Sequence, residues 1–82
     1  MGTIIKVNGE QLPLESNTLD AWQDAVGGLV EPVYGKSWVM LVNEEGQLMN
    51  LPLNVDASRK TGRVIVGDVI LFTLKEWDDA NN

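Results

Sequence analysis

The first hydrophobic segment of the chain is a β-branched run, T-I-I-K-V at residues 3–7, and it predicts a β-strand. The Asn8-Gly9 pair that follows favours a two-residue hairpin turn, because both residue types tolerate positive φ. A return strand is expected over residues 11–14, where Pro13 marks that strand as an edge of the sheet. The pattern therefore predicts an N-terminal β-hairpin.

The hydrophobic pattern then changes to a helical period. Leu19, Trp22 and Val26 are spaced i, i+3 and i+7, so they fall on one face of a helix. Ser16 or Asn17 is the expected N-cap. The Gly-Gly pair after Val26 is expected to end the helix.

The central part of the chain has the pattern of a β-meander. Strands are predicted over residues 29–34 and 37–43, joined by a turn at a Gly-Lys pair, and the second is the most hydrophobic segment of this part. An E-E-G turn follows, and a short return strand is expected over residues 47–51 before Pro52 limits it. Sequential hairpins of this kind favour antiparallel pairing.

The C-terminal third contains a short helix and a long apolar run. Asn54 is the expected N-cap of a helix over residues 55–61. The apolar run at residues 63–74 is interrupted by Gly67 and Asp68, which predict a bulge or a tight turn.

These elements predict the α+β class: a curled, mostly antiparallel sheet of five or six strands, with one main helix of about ten residues packed on it and one short helical turn. With 82 residues the chain has room for one hydrophobic core. We expect a single domain over residues 1–76 and an acidic tail over residues 77–82 that frays, although Trp77 is expected to hold its first residues.

The central strand is apolar on both faces. Alternation places Trp38 and Met40 on one face, and Val39 and Leu41 on the other. A single helix covers only one of these faces, so the second must meet another part of the chain or another molecule. One hypothesis is a partner-binding or homo-oligomer face near Tyr34, Trp38 and Met40; the alternative is a strongly curled sheet that wraps both faces into one core.

The composition excludes several kinds of site. The chain has no cysteine, so it can form no disulfide and offers no thiolate. It also has no histidine, so it offers no imidazole as a general base or as a metal ligand. Its formal net charge of −6 repels a nucleic-acid backbone. No apolar stretch approaches membrane-spanning length, and the N-terminal residues lack a signal-peptide pattern. We expect a cytoplasmic binding protein without enzymatic activity, catalytic residues, cofactor, metal, membrane contact or direct binding to a nucleic-acid backbone.

Three groups of polar residues are candidates for function, and each has a structural alternative. Glu44 and Glu45 are adjacent carboxylates that could bind Mg²⁺ or Ca²⁺, but neighbouring residues of a hairpin turn point to different sides, which favours a solvated turn. Asp68 and Asn54 are expected to be structural: Asp68, beside Gly67, accepts backbone N–H bonds and Asn54 caps a helix.

The third group is the only basic cluster of the chain, formed by Arg59, Lys60 and Arg63. With the backbone donors near Gly62 it could bind a phosphate group, as in a nucleotide. The structural alternative is a set of cations that complement the dipole at the C-terminus of the short helix.

Three segments resemble a small family of unknown function that is carried mainly by phages, plasmids and other bacterial mobile elements. They are V-N-E-E-G-Q-L at residues 42–48, L-P-L-N-V-D-A at 51–57 and I-V-G-D-V-I-L at 65–71, and the resemblance extends from about residue 28 onward. It implies no chemistry, because the family has no assigned activity. It implies a setting in which small accessory proteins often block a host function, frequently a defence system.

Together these features predict a non-enzymatic binding protein that inhibits or sequesters a component of a bacterial host. In the preferred mechanism, an acidic surface with Glu31, Glu44 and Glu45 binds a basic host protein, as in an anti-CRISPR or antirestriction role. The tail carboxylates Asp78 and Asp79 are expected to belong to the same surface. In an alternative, the basic cluster and an aromatic residue hold a phosphorylated small molecule or a signalling nucleotide. A structural or virion-associated oligomer is a third hypothesis.

Overall fold

A computed structural model describes all 82 residues as one antiparallel sheet with helices on it. The strands are β1 (Thr3–Ile5), β2 (Gln11–Pro13), β3 (Val30–Tyr34), β4 (Trp38–Asn43) and β5 (Val69–Thr73), and the helices are α1 (Leu19–Val26), α2 (Val55–Thr61) and α3 (Leu74–Ala80). The strand order is β2-β1-β5-β4-β3, and every neighbouring pair is antiparallel. The predicted α+β class is confirmed, but three helices pack where one main helix was expected. None of the three is long and apolar enough to cross a membrane.

The β1–β2 hairpin is closed by a loop of three residues, so the two-residue turn predicted from the sequence is wrong. Lys6 donates its N–H to the Glu10 carbonyl at 2.9 Å, and Gly9 donates to the Lys6 carbonyl at 2.9 Å. In the turn only Gly9 has positive φ (89°), as expected for a left-handed residue that follows a type I turn. Asn8 instead accepts a hydrogen bond from Glu10 N–H through its side chain.

The N-cap of helix α1 lies one residue after Asn17 and two after Ser16, the two expected caps. Thr18 is the N-cap, and its Oγ1 accepts from the Ala21 N–H at 3.2 Å. The predicted C-terminus is confirmed, because Gly27 adopts a left-handed conformation (φ 78°) and donates its N–H to the Gln23 carbonyl.

The return strand predicted over residues 47–51 is absent, and this segment forms consecutive turns. Met49 donates to the Glu45 carbonyl, and Leu51 donates to the Gly46 carbonyl, so these hydrogen bonds are local. Asn50 has φ of 54°, which interrupts an extended conformation. The physical reason is that β4 is already paired with β3 on one side and with β5 on the other, which leaves no free edge for another strand.

The chain itself covers both faces of the sheet, so the second face of β4 meets another part of the chain. Helices α1 and α3 cover one face, where the buried residues are Leu14, Val26, Leu41, Ile70 and Phe72. Helix α2 and the segment before β5 cover the other, where the buried residues are Ile5, Val33, Met40, Val42, Ala57, Ile65 and Val69. The sheet therefore separates two cores and does not wrap its faces into one.

Residues 77–80 belong to α3, where the sequence predicted a fraying tail. The missed signal is a capping box: Thr73 Oγ1 accepts from the Glu76 N–H at 3.1 Å, and Glu76 Oε1 accepts from the Thr73 N–H at 2.8 Å. Trp77 lies on the inner side of the helix, with its ring centroid 5.4 Å from that of Phe72 and 6.0 Å from that of Trp22.

Both edge strands carry a proline that faces outward. Glu44 N–H donates to the Leu29 carbonyl, so the odd-numbered residues of β3 bond to β4 and Pro32 lies on the free side. Pro13 has the equivalent position on β2, because the adjacent Leu14 donates its N–H to the backbone at the start of β1. Each proline removes one donor from a free edge, which disfavours the addition of a further strand.

Candidate functional site

A concavity with charged walls lies beyond the end of β4. One wall is the loop of residues 44–50 that follows β4, and the other is the segment of residues 63–66, which we call the arm. Glu31 of β3 closes one side, and the enclosed volume is about 220 Å³. We call this concavity the acidic groove.

Three carboxylates line the acidic groove without a cationic partner. Glu31, Glu44 and Glu45 are exposed, and none takes part in the three salt bridges of the chain. Arg63 is the one basic residue among the residues that line the groove, and it also forms no salt bridge. Three negative charges against one positive charge give the groove a negative potential, which favours cationic ligands. These carboxylates do not belong to any group of three acidic residues placed to hold a metal ion.

Asn43 sets the position of the loop that carries Glu44 and Glu45. Its side chain is 6% exposed, and its Oδ1 accepts from the Glu45 N–H at 2.8 Å. Its Nδ2 donates to the Val26 carbonyl at 3.1 Å, so the same amide also holds the C-terminal end of α1. Sequence reasoning gave Asn43 no such role, because its bond to Val26 joins residues that are distant in the chain.

The loop is also packed directly against the arm. A Cβ atom at Gly46 would lie 2.8 Å from Val66 Cγ2, so a side chain at this position would push the two walls apart. The arm is held in turn by α2, because Ile65 donates its N–H to Ser58 Oγ at 2.9 Å and accepts from the Asn54 N–H at 2.9 Å. Both walls of the groove are therefore anchored in the free protein.

The walls also carry exposed aliphatic side chains. Leu48 on the loop is 82% exposed, and Val64 on the arm is 67% exposed. Val64 points outward because its neighbour Ile65 is buried at 4% in the core beneath. The groove thus combines apolar rims with carboxylates.

The predicted protein-binding residues divide into two groups. Glu31, Glu44 and Glu45 come together at the acidic groove. Met40 does not belong to any surface: it is 0% exposed and forms part of the core beneath α2, so its assignment to a binding face is wrong. Tyr34 is 67% exposed and contacts the α3 side of the sheet.

Trp38 lies on the opposite face of the sheet from Tyr34, and its ring lies close to Gly35 and Lys60. The ring packs so closely on Gly35 that a Cβ atom there would lie 2.1 Å from it. Lys60 Nζ lies over the ring, 5.8 Å from the centroid. The two aromatic residues therefore do not form one surface.

The basic cluster does not converge on one point. Arg63 lines the acidic groove, whereas Lys60 lines a separate concavity beside Trp38. Arg59 and Lys60 occupy the last turn of α2, where cations complement the helix dipole. This geometry matches the structural alternative better than a shared phosphate site. The carboxylates at positions 78 and 79 lie on α3 and so are separate from the acidic groove.

Asn54, Gly67 and Asp68 form a structural network on the other side of the arm. Asn54 is 0% exposed; its Oδ1 accepts from the N–H of Ala57 in α2, and its Nδ2 donates to the carbonyls of Ile5 and Gly67. Asp68 Oδ1 accepts from the Val7 N–H at 2.9 Å and Oδ2 lies 3.3 Å from Lys6 Nζ. These hydrogen bonds give the side chains of Asn54 and Asp68 partners within the protein, as expected for residues that support the fold.

These observations define a small α+β protein whose single antiparallel sheet is covered on both faces and ends in a preformed acidic groove. The chain belongs to the family described as Domain of unknown function (DUF3846), whose model matches residues 1–81. The match includes β1, β2 and α1, so it is longer than the resemblance inferred from residue 28 onward. No curated protein and no solved structure matches the chain.

Proposed function

We propose that this chain is a non-enzymatic binding protein that inhibits or sequesters a basic protein of a bacterial host, with the acidic groove as its contact surface. The observation that carries the proposal is the set of three carboxylates, Glu31, Glu44 and Glu45, that line an anchored concavity without cationic partners. A cationic side chain of a partner supplies the positive charge that these three carboxylates lack within the chain.

The anchoring of the groove supports recognition of a specific partner. Asn43 and the contact of Gly46 with the arm hold the loop before binding, so little conformational entropy is lost when a partner docks. The negative potential also increases the association rate with a basic protein, and it does so most strongly at low ionic strength.

The motifs at residues 42–48, 51–57 and 65–71 support a phage or mobile-element origin, which makes a host defence protein the expected target. The proposal includes a cytoplasmic site of action, because that is where such a target would be met. A sponge for a phosphorylated small molecule has less support, because Arg63 shares its groove with three carboxylates and lies in a different concavity from Lys60.

The experiment is a comparison of charge variants in capture from bacterial lysate. The double variant Glu44→Gln/Glu45→Gln removes two charges from the groove, and Asp20→Asn/Asp24→Asn removes two exposed charges from α1 as a matched control. We expect at least one host protein to be retained by the wild type and the control and lost by the groove variant. If every captured protein responds equally to both variants, the groove is not the contact surface.

A single variant separates a basic partner from an anionic ligand. Arg63→Gln makes the groove more negative, so affinity for the captured protein should rise by about two- to fivefold. Affinity for an anionic ligand would fall. For the wild type, affinity for a basic partner should also weaken steeply between roughly 0.05 and 0.3 M salt.

A further inference from the structure

We propose that the segment that enters the acidic groove carries a lysine or arginine next to an aliphatic residue, and that it docks through these side chains and not as an added β-strand. This inference rests on the proposed function and assigns the chemistry of the partner at the same groove.

The aliphatic component follows from the two rims. Leu48 and Val64 belong to opposite walls of one concavity, and they are 82% and 67% exposed. Single exposed aliphatic residues are common on protein surfaces, but two that line the same anchored groove from different walls offer a place to bury an apolar side chain. Contact with both removes more apolar area from water than contact with either alone.

The basic component follows from charge complementarity. Val64 lies beside Arg63 on the arm, and Leu48 lies on the loop that carries Glu44 and Glu45, so aliphatic and charged side chains line the same groove. A cationic side chain between Glu31 and the loop carboxylates places an adjacent aliphatic side chain within reach of the rims. An acidic segment meets three repelling charges at the same position.

The docking mode follows from the edge of the sheet. Glu31 lies on β3, whose free edge is the nearest place for strand addition. Pro32 occupies the middle of this edge and lacks an N–H, so an added strand would lose a central hydrogen bond. Recognition through side chains needs no free backbone donor.

The test uses labelled synthetic peptides of about ten residues as probes, with the full-length protein. One peptide combines lysine and leucine, a second replaces leucine with serine, and a third replaces lysine with glutamate. A fourth has the first sequence with alternate backbone nitrogens methylated. We expect the lysine–leucine peptide to bind best, the methylated form to bind within about twofold of it, and the other two to bind at least tenfold more weakly.

Matched protein variants locate the contact. Val64→Ser and Leu48→Ser should each lower the affinity for the lysine–leucine peptide by roughly three- to tenfold. The affinity for the lysine–serine peptide should not change. Leu19→Ser changes an exposed leucine of α1 and serves as the control with no expected effect.

The possible failures are distinct. If Glu44→Gln/Glu45→Gln weakens binding but Val64→Ser and Leu48→Ser do not, the inference about the aliphatic component is overturned and the proposed function stands. Loss of binding by the methylated peptide overturns the docking mode. If the lysine–leucine peptide does not bind at millimolar concentration, or binds all variants equally, the inference fails; the lysate comparison then decides separately whether the proposed function also fails.

Discussion

Replacement of Asn54 by alanine is expected to be the most damaging change of a single polar side chain in this protein. The amide is 0% exposed and makes three hydrogen bonds that join separate parts of the chain. Oδ1 caps α2 by accepting from the Ala57 N–H at 3.0 Å, and Nδ2 donates to the Ile5 carbonyl at 3.0 Å and to the Gly67 carbonyl at 2.9 Å. Alanine keeps the backbone but removes all three bonds.

The magnitude follows from the number and burial of these bonds. Each buried hydrogen bond contributes about 1–1.5 kcal/mol, and the cap alone contributes about 1 kcal/mol, so Asn54→Ala should lower the free energy of unfolding by about 3–5 kcal/mol. A chain of 82 residues is expected to have a total unfolding free energy of roughly 4–12 kcal/mol. The substitution therefore removes a large share of the stability and can unfold the protein at 37 °C.

Urea denaturation monitored by tryptophan fluorescence and circular dichroism measures the effect. Thr18→Ala is the control, because Thr18 caps α1 through a single bond at an exposed position and should cost only about 1 kcal/mol. Asn54→Asp tests the donor separately. It keeps the acceptor for Ala57 but faces two carbonyls with a carboxylate oxygen, so it should be at least as destabilising as alanine.

The reasoning is refuted if Asn54→Ala shifts the urea midpoint by no more than Thr18→Ala does. It is also refuted if Asn54→Asp retains wild-type stability at neutral pH, because the bonds donated by Nδ2 would then contribute nothing.

Three further substitutions test the packing. Gly67→Ala should lower the free energy of unfolding by about 1–3 kcal/mol, since φ is 82° and a Cβ atom would lie 2.7 Å from Leu51 Cδ1; an unchanged urea midpoint would contradict this. Gly35→Ala should displace the Trp38 ring, which a Cβ atom would approach to 2.1 Å, and shift the fluorescence emission to longer wavelength, whereas an unchanged spectrum would show that the ring does not pack there. Phe72→Ala should lower the free energy of unfolding by about 3–5 kcal/mol because Phe72 is 0% exposed. A decrease below about 1 kcal/mol, measured by urea denaturation, would contradict its central position in the core.

Local signals in the sequence predicted much of the fold. Helix α2 has the predicted bounds, because Asn54 caps it and Gly62 ends it with a left-handed conformation (φ 70°). The alternation in β4 also predicted correctly that Met40 and Leu41 lie on opposite faces of the sheet. Both signals depend only on neighbouring residues.

The errors arose where long-range pairing decides the structure. Residues 47–51 have a pattern compatible with a strand, but β3 and β5 already occupy both edges of β4. The strands over residues 29–34 and 37–43 were predicted almost correctly, whereas the residues that cover them were not. The prediction of a binding surface at Met40 is wrong because only one helix was expected to cover the sheet, whereas α2 and the arm cover the second face and bury Met40.

For the candidate site too, local signals were predicted and long-range contacts were missed. The sequence identified Glu44 and Glu45 as exposed turn residues, and it grouped Glu31 with them on the basis of charge. It could not identify Asn43 or Val64 as parts of the groove. Asn43 acts through Val26, which is 17 residues away in the chain, and Val64 differs from its buried neighbours only in the direction its side chain points.

The elements that stabilise the fold also determine the shape of the acidic groove. The arm is held to α2 by two hydrogen bonds between Ser58 and Ile65 and by the bond from the Asn54 N–H to the Ile65 carbonyl. The opposite wall is held to α1 by Asn43. Since α1 and α2 lie on opposite faces of the sheet, the groove forms only when both cores are packed. A partner that binds the groove must therefore stabilise the whole fold, and its affinity depends on the population in which both helices are docked.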